Sequence, residues 1–168
     1  MGTVFVDNLE PQSGTSLTLG ASGDTIALTS GALQSNFLQP SFAAKMSAAQ
    51  SISNDTSTKI AYNSEVYDTD SAYDHSSNYR FTVPSGKAGK YFIGASVRSG
   101  SITDTKKILM YLYVNGSEVA ENYAQVISAN TSEQYTIGVS KALNLSAGDY
   151  IEVFVLHQNG AAVNFSSS

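Results

Sequence analysis

No cysteine occurs anywhere in the 168 residues, which removes disulfides, thiolate metal sites and cysteine nucleophiles from consideration. Proline is scarce, with three residues. No uninterrupted apolar run approaches the roughly 18 residues of a membrane-spanning helix, so membrane insertion by a helix is not expected. Charge is thin as well. Asp, Glu, Lys and Arg make up 14% of the chain, against roughly 25% in ordinary soluble domains. The net charge is −5, and no stripe of basic residues exists to neutralise phosphates, which argues against a nucleic-acid partner. The opening MGTVFVDNLE has no basic region leading into an apolar core, so it does not read as a secretory signal. Val6 stands where a myristoylation motif needs Ser or Thr.

With so few charges, the polar surface must come from Ser, Thr, Asn and Gln. Glycine (13) and tyrosine (10) are plentiful, a composition that favours pleated, hydroxyl-rich surfaces over helices. The stretch around which the chain is organised is 58–97. Ile60 to Tyr67 reads as extended, and Tyr79 to Val83 is a second run, halted by Pro84. Lys90 to Val97 is a third, with Tyr91, Ile93 and Val97 on one face and Phe92 on the other. Further strands are expected at Phe42 to Met46, Lys106 to Val114, Ser117 to Gln125, Glu133 to Leu145 and Tyr150 to Leu156. Asn115-Gly116 marks a tight hairpin, and Ser51 to Asp55 reads as turn. Some eight to ten short strands without a helix predict an all-β, two-layer sandwich.

Residues 1–40 have a different texture. Thr3 to Val6 is a short strand candidate, followed by two similar units, GTSLTL at 14–19 and GDTIAL at 23–28. Each has one apolar face too small to bury alone. Association of several chains along an axis would cover these faces; a flexible arm is the alternative. The expected organisation is a stem or attachment arm, 1–40, and a head, 41–168.

From about 41 to 165 the chain resembles the globular-head family of complement subcomponent q, allied to the tumour-necrosis-factor jelly rolls. The residues that carry the resemblance are Tyr62 of KIAYN, Tyr73-Asp74, Phe81 of YRFTVP and the AGKYF turn-strand. The Asn115-Gly116 hairpin and LNLSAGDYIEV at 143–153 complete it. The resemblance implies a jelly-roll head that assembles as a tight homotrimer and binds without catalysis, with no cofactor. The 14–28 stretch resembles stem repeats of marine bacteriophage fibre and virion proteins. Family members end with a strand that holds a Phe-Ser-Gly-like step followed by aliphatics. Here the chain reads AAVNFSSS to its end, so the last strand is expected to be missing.

Candidate chemistry is sparse. His75 and His157 lie far apart and read as surface residues; no nucleophile elbow or phosphate loop accompanies them. Asp68, Asp70 and Asp74 offer a weak calcium site, but an EF-hand loop counted from Asp68 would need Gly and Glu where Tyr73 and Tyr79 stand. The competing reading is a turn whose Asp side chains accept backbone amides. Tyr73, Asp74, His75, Asn78 and Tyr123 are the candidate receptor-binding residues, since aromatic faces and amides suit a glycan or a protein surface. Tyr91, Ile93 and Tyr135 are the candidate trimer-interface residues, so Tyr91→Asp is expected to dissociate or unfold the trimer. The function expected is that of a virion structural protein. It would be a trimeric tail or head fibre, exposed on the particle, joined to other virion proteins through 1–40 and touching the host surface through head loops. A capsid decoration or adaptor protein without a receptor is the alternative.

Overall fold

Large apolar residues alternate with small or polar ones through the head, and each alternating run is a strand with one face inward. The computed structural model describes residues 40–103, 105–125 and 133–167, with isolated positions (10, 11, 13, 14 and 25) before them. The chain divides into two units, Met1–Phe37 and Leu38–Ser168. The stem expected at 1–40, with its two similar units, lies outside the described residues.

The first strands of the second unit are short: β1 (Phe42–Lys45), β2 (Gln50–Ile52), β3 (Thr58–Lys59), β4 (Ser64–Asp68), β5 (Tyr73–Asp74) and β6 (Arg80–Thr82). The later ones are mostly longer: β7 (Gly89–Ile102), β8 (Lys107–Val114), β9 (Ser117–Gln125), β10 (Glu133–Leu145), β11 (Tyr150–His157) and β12 (Val163–Ser166). One sheet runs β10-β7-β12-β2 and the facing sheet β5-β6-β11-β8-β9, with β3 also against β11. β1 and β4 form a separate antiparallel pair. From β6 to β7, β7 to β8, β9 to β10, β10 to β11 and β11 to β12 the chain crosses between the sheets. That shuttling path is a jelly roll, and every pairing is antiparallel. All-β structure was the sequence expectation, and the described residues contain no helix.

The core lies between the sheets. From β7 it takes Tyr91, Ile93 and Val97, from β8 Ile108, Met110 and Leu112, and from β11 Ile151 and Val155; Phe81 and Phe165 join them. Fully burying one such side chain contributes about 1.5–3 kcal/mol, the term that drives the sheets together. One expectation is corrected. Ser51 and Ile52, read as turn, belong with Gln50 to the strand β2, held because Ile52 is fully buried and pairs with Val163. The turn comes only afterwards, at Asn54-Asp55, with φ 53° at Asp55.

Val163–Ser166 is a strand in its own right, seated between β2 and β7. It closes the sheet because Phe165 is fully buried. Close approach is possible because Gly100 faces it: a Cβ there would stand 3.1 Å from the Asn164 carbonyl oxygen. β12 is short, however, and meets β7 only at Ser99 and Arg98.

Candidate functional site

Short polar side chains build the loop after β5 from its own backbone outward. Asp74 accepts the amides of Ser76 (3.0 Å), Ser77 (2.9 Å) and Asn78 (3.1 Å), and the Asn78 side-chain amide at 2.7 Å. The Ser77 and Ser76 amides, then the Asn78 side chain, hold the Asp74 carboxyl well below the usual carboxylate range. Tyr79 ends the loop in the left-handed region at φ 49°. The Asn78 carbonyl accepts from Lys59 Nζ at 3.2 Å. His75 is exposed, with Nδ1 3.3 Å from a Glu65 carboxylate oxygen.

The five candidate binding residues are therefore not one surface. Tyr73 is a core residue: it is buried, its ring stacks on Phe42 at 5.0 Å, and its hydroxyl donates to the Tyr62 carbonyl at 3.2 Å. Burial pushes its phenol pKa up. Tyr123 lies on β9, at the opposite edge of the sheet from β5, with β6, β11 and β8 between them. It is exposed, with Lys107 Nζ 5.7 Å from its ring centroid. Asp74, His75 and Asn78 alone share a loop.

The calcium candidate has a similar fate. Asp68 accepts the amides of Tyr73 at 2.7 Å and Asp70 at 3.2 Å, and Asp70 accepts the Thr69 hydroxyl at 2.8 Å. These are turn-forming bonds. Among the described residues, no three acidic or histidine side chains converge on a point that would hold a metal.

His157, read as a surface residue, is fully buried. Its Nδ1 accepts from the Asn159 amide at 3.3 Å, so its Nε2 donates to the Ile52 carbonyl at 2.9 Å. The Phe165 ring lies 5.7 Å away. This histidine ties β11 to β2. The apolar run before it, YIEVFVL, carries the signal that it continues an inward-facing register.

The candidate interface residues also separate. Tyr91 and Ile93 point into the chain's own core, and the Tyr91 hydroxyl donates to the Lys87 carbonyl at 2.5 Å. They are not available to a neighbouring subunit, which corrects their placement. Tyr135 is half-buried on β10, its amide bonded to Ser99 Oγ at 3.0 Å. What β7 does present outward is Phe92, 76% exposed. Around it the outer face of the β7–β10 ladder carries Gly94, Ser96, Ser140 and Ala142, none of them charged. Lys90 and Arg98 stand only at its ends. Arg98 is hydrogen-bonded to Gln134.

A cavity of about 600 Å³ lies beside β7. Phe92 to Ser96 of β7 form one side, Phe42 to Lys45 of β1 another, and Ser167 stands at its edge. Gly138 to Ser140 of β10 line it as well, and its apolar lining includes Tyr73, Phe81, Ile151 and Val153. The Tyr62 hydroxyl reaches it and donates to the Ser96 carbonyl at 3.0 Å.

No family model and no curated protein matches the sequence. Among solved structures the chain is similar to the Eiger tumour-necrosis factor of S. frugiperda. The two are 14% identical over 76% of this chain and 89% of that one, with a TM-score of 0.48. It is also similar to the globular domain of zebrafish complement 1qA, 15% identical over 71% of this chain and 95% of that one, with a TM-score of 0.42.

Proposed function

We propose that this chain is a non-enzymatic structural subunit of a bacteriophage virion, a homotrimeric tail or head fibre whose head loops contact the host surface. The observation that carries the reading is the outer face of β7 and β10. It is built of small side chains around an exposed Phe92, with Lys90 and Arg98 at its ends. The Phe92 ring offers a neighbouring copy apolar area to cover. Covering it in each copy contributes about 1.5–3 kcal/mol, and the small side chains let a neighbour approach closely. Weak contacts by three heads would then add up through multivalency. The virion setting, and attachment to other virion proteins through 1–40, rest on the resemblance of the 14–28 stretch to phage stem repeats.

One observation favours the alternative, a decoration or adaptor protein that serves assembly without a receptor. Tyr73 and Asp74 are taken up by packing and by main-chain hydrogen bonds, leaving the 75–78 loop with few free recognition groups. Light scattering on the purified protein tests the assembly: a mass three times that of one chain is expected, falling to one in Phe92→Lys with unchanged circular dichroism. A wild-type monomer at micromolar concentration overturns the trimer. Adsorption separates the two roles, since a fibre head competes with virions for the host cell and a decoration protein does not.

A further inference from the structure

The two faces of β8 meet different surroundings. Ile108, Met110 and Leu112 point into the core, so Leu109, Tyr111 and Tyr113 point outward from the sandwich. On the same outer face β11 places Tyr150 and Phe154, and β9 places Tyr123 opposite Leu109. Three of these aromatic rings hold a cation from this chain. Arg80 lies 4.2 Å from the Tyr150 ring centroid, Lys107 5.7 Å from that of Tyr123, and Lys59 5.9 Å from that of Phe154. The face of an aromatic ring is electron-rich, so each pairing is attractive.

Tyr111 and Tyr113 have no such cation among the described residues. Their ring centroids are 6.2 Å apart, and Tyr113 lies 4.7 Å from Phe154. Each stands directly across the ladder from an exposed carboxylate, Tyr111 from Glu121 and Tyr113 from Glu118. Neither carboxylate is paired with a cation among the described residues, whereas Glu152, on the other side of Tyr113, has Lys59. Burial raises the Tyr111 phenol pKa, and the Glu121 and Glu118 charges raise it further, so both carboxylates bear on this ring. All nine Lys and Arg residues of the sequence lie among the described residues. No undescribed Lys or Arg of this sequence is therefore left to complete the pattern.

The face is also open. Tyr111 and Tyr113 line neither the cavity beside β7 nor the smaller one between Asp70 to Asp74 and Thr82 to Pro84. An open face does not enclose a small ion, but it seats a planar guanidinium, which lies flat on a ring while its fork reaches a carboxylate. Because Tyr111 and Tyr113 are two residues apart on one strand, the two ring–carboxylate pairs repeat at about 7 Å. Alternate side chains of another extended chain repeat at the same distance.

We infer that the outer face of β8 and β9 binds an extended basic segment of a partner protein, with arginines at alternate positions on Tyr111–Glu121 and Tyr113–Glu118. A second copy of this chain does not fit. Its only arginines, Arg80 and Arg98, are far apart in sequence, and its net charge of −5 opposes approach to an acidic face. The site lies on the other sheet from Phe92 and stands whether or not the chain belongs to a virion.

The test is a calorimetric titration of the full chain with the peptide Gly-Ser-Arg-Ser-Arg-Ser-Gly. Saturable binding is expected, weakening as salt is raised. Glu118→Gln combined with Glu121→Gln alters only exposed side chains; it should leave the melting temperature unchanged and weaken binding ~5-fold or more. Tyr111→Leu combined with Tyr113→Leu keeps the face apolar and should weaken it ~10-fold. Absence of binding to the wild type overturns the inference, as does unchanged binding by the glutamate variant. Equal binding by a peptide with its two arginines adjacent would mean general attraction to an acidic protein, and overturns it too. So does saturable binding of a neutral oligosaccharide that depends on the same two tyrosines while the arginine peptide is inert. Self-association of the wild type that the glutamate variant abolishes would assign the face to a second copy and overturn the partner.

Discussion

Asp74 works on the backbone around it. Its folded-state pKa is depressed, so its contribution to stability is complete above the unfolded value near 3.9 and is lost as the pH falls from there toward the folded value. Calorimetry of wild type and Asp74→Ala should show a full gap in melting temperature at pH 6 that narrows steadily below about pH 4. A gap independent of pH would mean that the carboxylate's charge is not what holds the loop. Tyr91 makes a different case. Because its ring lies in the core of one chain, Tyr91→Asp places an unpaired charge among apolar groups, at several kcal/mol. The expected outcome is loss of cooperative unfolding in circular dichroism, whatever the state of assembly; a folded monomer would restore Tyr91 to an interface. Lys59 reaches Glu152 at 2.5 Å, and the Glu152 side chain is only 9% exposed. Lys59→Met strands that carboxylate, and urea unfolding should report a loss of about 1–3 kcal/mol.

At the scale of elements, the β8–β9 hairpin couples local and distant structure. Asn115 and Gly116 hold φ of 51° and 78°, as a two-residue hairpin loop of this kind requires. Asn115 does more than bend. Its side chain donates to Asp149 at 2.7 Å and accepts the Tyr150 amide at 3.0 Å, fastening the hairpin to the turn before β11. Gly in its place keeps the turn but loses both bonds. Asn115→Gly should therefore cost about 1–2 kcal/mol in chemical denaturation, although turn preference alone predicts no loss. The long strands β7, β8, β10 and β11 were legible because period-two alternation and turn residues are local. β2 was not, since three residues with a single buried Ile52 leave no periodicity to read. Its strand state is imposed by β12 across the sheet. Tyr123 was grouped with the 73–78 loop on residue type alone, and the strand order sets them at opposite edges.

For the whole molecule, the question is which apolar groups a single chain covers by itself. Among the described residues Ile52, Val97, Met110 and Phe165 are fully covered within one subunit, so the head carries its own core. Val66, Tyr67, Phe92 and Tyr123 remain exposed. Assembly, where it occurs, adds to that core and does not replace it. The dissociated Phe92→Lys head is accordingly expected to unfold as cooperatively as the wild type.

Composition, alternation and the Asn-Gly turn determined an all-β chain by themselves, because strand and turn preferences act between residues close in sequence. Alternation also split β7 into a Tyr91–Ile93–Val97 face and a Phe92 face. Which of those faces meets the chain's own second sheet and which meets solvent was decided only by tertiary structure. A two-residue period is symmetric between its faces, and only a partner surface brought from far along the chain breaks that symmetry.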